Sequence, residues 1–338
     1  MIAKLVAAAL LLTGLTVPAH ATTLACSAEI LPPAEGSPAS GSSWVKHGDD
    51  TGQYLLGEGT HPSPSGGYAS RPVLWTDGKP QWLDPEPDFW SEATDVNNSG
   101  TVIGQTGSAD GGRHAWTWEN GSYKAVPVPD GLEDPTLSAI NNRGDIVGYA
   151  WDPTAEIFVS MVWPAGKSPI QLAAKGDALA GDINEKGVVV GTVRSTTGTT
   201  GTTGTAASVW LDWRSQASPL PSKLGTDSHA TEIRGNWIGG KEQLADGTWS
   251  GLVWDLSTKT VESRPAVVSS VNTSGDAALE ATIDSGSVIV KADGTRVDLP
   301  AWSNIYHLFD RGQPVSAGGY DGDAKAMIWT GCFPPDHS

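Results

Sequence analysis

A single short unit recurs along this chain, and its clearest copy runs from Asp95 to Trp118. It begins with a turn, Asn97 to Gly100, that is followed by β-branched Val102 and Ile103. Asn and Gly accept the positive φ that tight turns need, and β-branched residues suit pleated strands. A glycine-rich loop, the strand R-H-A-W-T-W, a second turn and Y-K-A-V-P-V complete the unit. The pattern therefore predicts two hairpins, and so four short strands, in each copy.

Two landmarks give the same number of copies. The turn glycine occurs seven times and sets an interval of 37 to 48 residues, at Gly52, Gly100, Gly144, Gly187, Gly235, Gly275 and Gly312. A tryptophan at the end of the third strand marks six copies, with Val290 in the remaining one, at Trp75, Trp118, Trp163, Trp210, Trp254 and Trp329. A four-stranded unit of about 40 to 45 residues is typical of a β-propeller blade. We therefore predict an all-β fold, a seven-bladed β-propeller.

The two ends of the chain indicate how the ring closes. The seventh copy stops at Phe333-Pro334-Pro335 before a fourth strand, whereas Leu24 to Leu31 forms a strand-like stretch outside any copy. We expect this N-terminal strand, 24–31, to complete the last blade of a single domain, 22–338, with repeats from about 42 to 332. Cys26 and Cys332, the two cysteines of the chain, then lie side by side and form a disulfide. Two free thiols are the alternative.

The first 21 residues have the features of a secretory signal peptide. Lys4 supplies a positive charge, Leu5 to Leu12 an apolar segment, and Ala19-His20-Ala21 a small-residue cleavage site. The apolar run is too short to cross a bilayer, and no later stretch approaches the roughly 18 apolar residues that a span requires. We predict cleavage after Ala21 and a mature protein that is periplasmic or secreted.

The charge balance excludes two classes of partner. The chain has 38 acidic and 21 basic residues, a net charge of −17. A surface with this charge repels nucleic acid and anionic lipid. We therefore expect neither of them as a partner. We also expect no membrane span and a monomer.

The copies resemble the HAF repeats of bacterial extracellular proteins, whose pattern is roughly I-N-x-x-G-x-V-V-G, a loop, and then H-A-F-x-W. The segments A-I-N-N-R-G-D-I-V-G and D-I-N-E-K-G-V-V-V-G match the first half. His114-Ala115-Trp116-Thr117-Trp118 matches the second half, with Trp in place of Phe. The resemblance covers most of the chain from about Ser42 to Cys332 and implies a secreted, propeller-like fold. It implies no activity and no catalytic residues.

Candidate ligand-binding residues lie in the loops that differ between copies. In such a blade the first strand lines the central channel, and the loops between strands two and three share one face with the connections between blades. Four tryptophans outside the repeat position lie in or next to these loops, namely Trp90, Trp151, Trp249 and Trp302. Exposed indoles stack on sugar rings, so we predict binding of carbohydrate or a cell-surface polymer, with a protein partner as a further option. The alternative is that these indoles seal the loops onto the ring.

Acidic residues recur on the predicted first strands. Asp95 and Asp182 stand five residues before the turn glycine, and Glu232 takes the equivalent place in the shortened fifth copy. A ring of carboxylates facing the channel is able to hold Ca²⁺. The alternative, which we prefer, is that each carboxylate accepts hydrogen bonds from backbone N–H groups, so no cofactor is required.

Catalysis has little support in the sequence, because no local nucleophile or metalloprotease motif occurs. His229 and His307 fall on predicted first strands, where Asp182, Glu232 or Tyr306 could pair with them for general acid/base work. A single histidine on a strand is more often a structural residue. We therefore predict a binding module without catalysis, and keep a propeller polysaccharide lyase or hydrolase as the alternative.

Overall fold

The computed structural model describes residues 26–63, 66–83, 90–107, 109, 111–197, 202–223, 225, 227–281, 285–313 and 315–333. Within these residues the secondary structure is entirely β, in seven sheets of four antiparallel strands each. Successive strands of a blade are neighbours in its sheet, as hairpin connections require. The prediction of a seven-bladed β-propeller is confirmed. The predicted signal peptide lies outside the described residues.

The strands of the first four blades follow one another in chain order. Blade one contains β2 (Ser43–Gly48), β3 (Tyr54–Pro62), β4 (Tyr68–Thr76) and β5 (Lys79–Trp82). Blade two contains β6 (Ser91–Val96), β7 (Val102–Gly107), β8 (Arg113–Glu119) and β9 (Ser122–Ala125). Blade three contains β10 (Glu133–Ile140), β11 (Ile146–Asp152), β12 (Ile157–Trp163) and β13 (Ile170–Gln171). Blade four contains β14 (Asp177–Ile183), β15 (Val189–Thr197), β16 (Thr202–Trp210) and β17 (Ser218–Pro219).

The last three blades include the one that joins the two ends of the chain. Blade five contains β18 (Ser228–Arg234), β19 (Trp237–Gln243), β20 (Trp249–Asp255) and β21 (Thr260–Arg264). Blade six contains β22 (Val268–Val271), β23 (Ala277–Leu279), β24 (Val288–Val290) and β25 (Arg296–Asp298). Blade seven contains β26 (Asn304–Leu308), β27 (Ala317–Tyr320), β28 (Ala326–Thr330) and, as its outer strand, β1 (Ser27–Ile30).

The N-terminal strand closes the ring in the way the sequence predicts. β1 pairs antiparallel with β28, and Cys26 forms a disulfide with Cys332 across 306 residues of chain. The segment that follows β1 also accepts a hydrogen bond from the next blade, as the segments after other outer strands do. The indole N–H of Trp75 in blade one donates to the carbonyl of Pro32, as Trp163 does to Pro127 and Trp254 to Pro221. The closing junction therefore repeats the contacts of the other junctions.

The hydrophobic core lies between the blades. Buried side chains form seven clusters, one at each junction between neighbouring blades, including the junction of blade seven with blade one. Of the repeat tryptophans, Trp75, Trp210, Trp254 and Trp329 are among the largest fully buried side chains. Because each sheet is buried on both faces, no blade can hold its core alone.

In four blades the repeat asparagine forms a hydrogen bond to the next blade. In blade two, Asn97 Oδ1 accepts from the backbone N–H groups of Ser99 and Thr101, which fixes the turn. Its Nδ2 donates to the carbonyl of Asn141 in blade three, at 3.2 Å. Asn141 in blade three and Asn184 in blade four make the same kind of contacts, each with its own turn and with the next blade. One amide therefore shapes its own turn and stabilises the inter-blade junction.

Candidate functional site

The face on which the first strand of each blade begins carries the candidate binding residues, and it is called the upper face here. Trp90 directly precedes β6, and Trp302 lies two residues before β26. Trp151 lies near the end of a second strand, and Trp249 begins a third strand. Antiparallel pairing brings the ends of second strands and the beginnings of third strands to the same face. The structure therefore places all four predicted tryptophans on the upper face.

Three of these indoles are exposed. The exposed fraction is 60% for Trp302, 49% for Trp90 and 37% for Trp249. Trp151 is half-buried, because its ring packs edge-on against Phe158 with centroids 5.0 Å apart. Packing thus accounts for Trp151, whereas the other three present aromatic surface to solvent.

Two of the exposed rings are held by neighbouring cations. The Arg113 guanidinium carbon lies 5.6 Å from the centroid of Trp90, and the Lys241 ammonium lies 4.8 Å from that of Trp249. Such contacts fix the ring plane without covering both faces of the indole. Trp302 has a different constraint, since its backbone adopts φ +69°, which is unfavourable for a bulky residue. Backbone strain of this kind is concentrated at functional positions.

A bulge in every first strand turns one side chain into the central channel. The pairing of first and second strands shifts by one residue at the same place in all seven blades. The extra residues are Lys46, Thr94, Ser138, Gly181, Thr231, Ser269 and Tyr306. The glycine opposite the bulge is required by this geometry, because a Cβ on Gly148 would lie 2.0 Å from the carbonyl oxygen of Thr136.

These side chains line a cavity at the upper end of the channel, which is called the channel pocket here. Its volume is about 380 Å³, and six of the seven bulged residues contribute to its wall. The hydroxyls of Thr231 and Ser269 donate to second-strand carbonyls across the bulge. Their remaining lone pairs therefore act as acceptors in the pocket. Tyr306 belongs to the wall of the pocket and is 42% exposed.

Arg234 forms the floor of the channel pocket together with the predicted carboxylates. Its guanidinium lies 3.0 Å from an Asp182 oxygen and 3.1 Å from a Glu232 oxygen. A second cavity of about 110 Å³ lies below, and Asp95 and Arg234 line both cavities. This charged group is thus the partition that divides the channel into two cavities.

Each of the three carboxylates also bridges to the next blade. Asp95 accepts from the backbone N–H of Ile140, and Asp182 from that of Ile233. Glu232 accepts in the same way from Val271. The cation that the structure places among these oxygens is the guanidinium of Arg234. No set of three or more His, Cys, Asp or Glu side chains within the described residues has a geometry able to hold a metal ion.

Burial and the arginine act in opposite directions on these acids. Burial raises the pKa of Asp95 to about 7 and that of Glu232 to about 7, although Arg234 lowers both. Burial also raises the pKa of Asp182. Burial works to lower the pKa of Arg234, but Asp182 and Glu232 outweigh it and raise that pKa. The partition is therefore a strongly coupled charged cluster in a poorly solvated place.

The predicted catalytic histidines lie apart from the carboxylates. His307 is buried against Phe309, with ring centroids 4.6 Å apart, and burial lowers its pKa well below the usual value. His229 Nδ1 lies 3.2 Å from the Thr192 hydroxyl, and burial, then Lys241, lowers its pKa. Among the hydrogen bonds of the described residues, neither histidine has a carboxylate partner. The acid/base pair of the enzyme alternative is not formed.

The sequence prediction missed Arg234 as part of the pocket, and it named Tyr306 only as a possible acid/base partner of a histidine. Arg234 follows Ile233 in the place where other copies have the repeat asparagine, as in Ile183-Asn184. That substitution was the available signal.

The part of the chain that the structure describes contains no helix of the length and apolar composition needed to cross a membrane.

Comparison with known proteins identifies the fold alone. No protein-family model matches the sequence, and no curated protein matches it. The structure "YCF48 bound to D1 peptide" is similar at 11% identity and a TM-score of 0.50, over 90% of this chain and 96% of that one. TolB from Acinetobacter baumannii gives 9% identity and a TM-score of 0.49 over 83% of this chain. This chain spans 64% of the TolB chain, which is less than two thirds of its length.

Proposed function

We propose that the protein is a non-catalytic binding propeller outside the cytoplasm that recognises carbohydrate or a cell-surface polymer through its upper face. The observation that carries this proposal is the exposure of Trp90, Trp249 and Trp302 on the upper face, together with exposed Tyr306 in the wall of the channel pocket. Indole and phenol rings stack on the apolar faces of sugar rings, and their polar atoms bond to hydroxyls.

The fold supports this use of the rings. The blades hold the upper-face residues on a scaffold whose junctions are closed all the way round, so the rings are positioned before the ligand arrives. Preorganisation lowers the entropy cost of binding, which matters for a flexible polymer. The hydroxyl and carboxylate groups of the channel pocket add hydrogen-bonding partners beside the rings.

The disulfide supports a location outside the cytoplasm, because such bonds persist in oxidising compartments. Export through the segment 1–21 and membership of the HAF-repeat family remain predictions from the sequence. The alternative, a polysaccharide lyase or hydrolase, has no support from His229 and His307, which form no hydrogen bond to a carboxylate among the described residues.

A glycan array probed with the purified mature chain, residues 22–338, tests the proposal. We expect binding that is lost in Trp90→Ala and Trp302→Ala, since each variant removes exposed aromatic surface. The matched control is Leu211→Ala, because Leu211 is an exposed apolar side chain at the opposite face. Retention of glycan binding by both tryptophan variants would contradict the stacking role.

Two further arms separate the alternatives. The structure of YCF48 was solved with a bound peptide. A peptide library displayed on the same array surface therefore tests whether this protein binds peptides. Selective binding to peptides, with no signal on glycans, would identify a peptide and not a carbohydrate as the ligand. Incubation of each bound glycan with the protein, followed by a reducing-end and 235 nm absorbance assay, would reveal hydrolase or lyase activity and overturn the non-catalytic assignment.

A further inference from the structure

We infer that the channel pocket binds the free end of a carbohydrate chain, so that this propeller recognises chain ends and not chain interiors. The inference rests on the proposed function and specifies the form of its ligand. It follows from the shape of the channel, the chemistry of its wall, and the exposure of aromatic rings on the same face.

Two cavities with a common wall, in place of one continuous channel, argue against threading of a polymer through the ring. Asp95 and Arg234 line both the upper cavity and the smaller lower one. Arg234 is fixed there by ion pairs to Asp182 and Glu232, and these acids are fixed by backbone N–H groups of the next blades. A chain that enters from the upper face meets this partition and has to end.

The size of the pocket fits a terminal unit. Its volume of about 380 Å³ lies near the lower end of the range of roughly 300 to 1,000 Å³ for ligand clefts. That space suits the last part of a chain and excludes a long segment. The rest of the ligand then lies across the upper face, where Tyr306 and Trp302 are exposed.

The wall chemistry suits a ligand rich in hydroxyl groups. Thr231 and Ser269 present acceptor lone pairs, because their own hydroxyl protons are given to backbone carbonyls. Ser138 and Lys46 supply further polar groups, and Lys46 is held by an ion pair with Glu58. A terminal sugar has one more free hydroxyl than an internal one, which gives this wall a basis for selecting ends.

Two substitutions can fill the pocket without disturbing the blades. Tyr306 shows that the bulged position accepts a tyrosine. Gly181→Tyr and Ser269→Tyr therefore place a tyrosine at the equivalent positions of blades four and six. A Cβ on Gly181 meets its nearest atom at 3.4 Å, an ordinary contact. The matched control is Ser99→Tyr, on an exposed turn at the opposite face.

The experiment measures affinity by isothermal titration calorimetry for cello-, laminari-, malto- and chitohexaose, their parent polymers, and cyclomaltohexaose, which has no ends. We expect at least one hexaose and its polymer to bind with equal affinity per mole of chains, and cyclomaltohexaose not to bind. Gly181→Tyr and Ser269→Tyr should each weaken binding by about tenfold or more, the equivalent of losing one to three hydrogen bonds. Ser99→Tyr should leave it unchanged, and circular dichroism establishes that each variant is folded.

The outcomes separate this inference from the function on which it rests. If polymer binding scales with the mass of sugar, or if it survives both pocket-filling variants, chain interiors are bound. Either result overturns end recognition but leaves the carbohydrate function standing. Binding of cyclomaltohexaose as tightly as maltohexaose has the same consequence. Absence of binding to every hexaose and polymer in the panel, and to the glycan array, removes the carbohydrate function together with the inference.

Discussion

Replacement of Arg234 by methionine tests the role of the channel partition most directly. The substitution replaces the stem of the side chain by an apolar one and removes the charged group that faces Asp182 and Glu232 at 3.0 and 3.1 Å. Breaking a buried ion pair from one side typically costs about 3 to 5 kcal/mol, because the remaining charge is left buried and unpaired. We expect a loss of this size in the free energy of unfolding at pH 8.

The loss should shrink as the pH falls. Burial already raises the pKa of Asp95 and of Glu232 to about 7, and Arg234 is the charge that lowers them. Without Arg234 these pKa values rise further, while the unfolded values stay near 4. An acid whose folded pKa is raised stabilises the protein below the unfolded pKa and loses that contribution as the pH rises through the folded pKa. The variant is therefore penalised most above pH 7, and less at pH 5, where its carboxyls are protonated.

Urea unfolding of the disulfide-intact protein at pH 5 and pH 8, followed by tryptophan fluorescence, measures this difference. Arg214→Met is the matched control, because Arg214 is an exposed arginine in a loop of the opposite face and should change stability by less than about 0.5 kcal/mol. The double variant Arg234→Met with Glu232→Gln should recover part of the loss at pH 8. An equal loss at both pH values would refute the electrostatic account and point to lost packing.

Three further predictions concern closure, the bulge and the strained tryptophan. Replacing Cys26 and Cys332 together by serine should cost about 5 kcal/mol or less by the loop-entropy model, seen as a lower melting temperature by calorimetry; an unchanged melting temperature would show that strand pairing alone closes the ring. Gly148→Ala should destabilise by about 3 kcal/mol, because its Cβ meets a backbone oxygen at 2.0 Å. Gly204→Ala, whose Cβ meets its nearest atom at 4.0 Å, should be neutral or slightly stabilising in urea, and similar losses for the two variants would contradict the steric argument. Trp302→Gly should lose glycan binding but change the free energy of unfolding by less than about 1 kcal/mol, since glycine relieves the cost of φ +69°; a larger loss would mean that the indole is structural.

Much of the fold could be predicted because the structure uses each repeat landmark for a local purpose. Asn97 fixes a turn and a junction, Gly148 admits the bulge of a neighbouring strand, and Trp75 fills a core and donates to a connecting segment. Such demands recur in most blades and so leave a periodic trace in the sequence. The pairing of β1 with β28 could be predicted for the same reason, since one blade lacked its outer strand.

The candidate site could be predicted only in part, because it depends on departures from the repeat. The sequence located Asp95, Asp182 and Glu232 correctly on first strands, but it did not show that Arg234 reaches across to them. Nor could it distinguish the packed ring of Trp151 from exposed Trp302, since that difference depends on the neighbour Phe158 and on one backbone angle.

The same division explains how a symmetric scaffold acquires a specific pocket. All seven first strands carry the same bulge, so a uniform sequence would give a uniform wall. Two departures break that symmetry, because Gly181 leaves space on one side and Tyr306 occupies it on the other. Arg234 breaks it along the axis by closing the channel between its two ends. The proposed ligand selectivity therefore depends on these three positions, and Arg234 serves it while also forming an ion pair with Asp182 of the neighbouring blade.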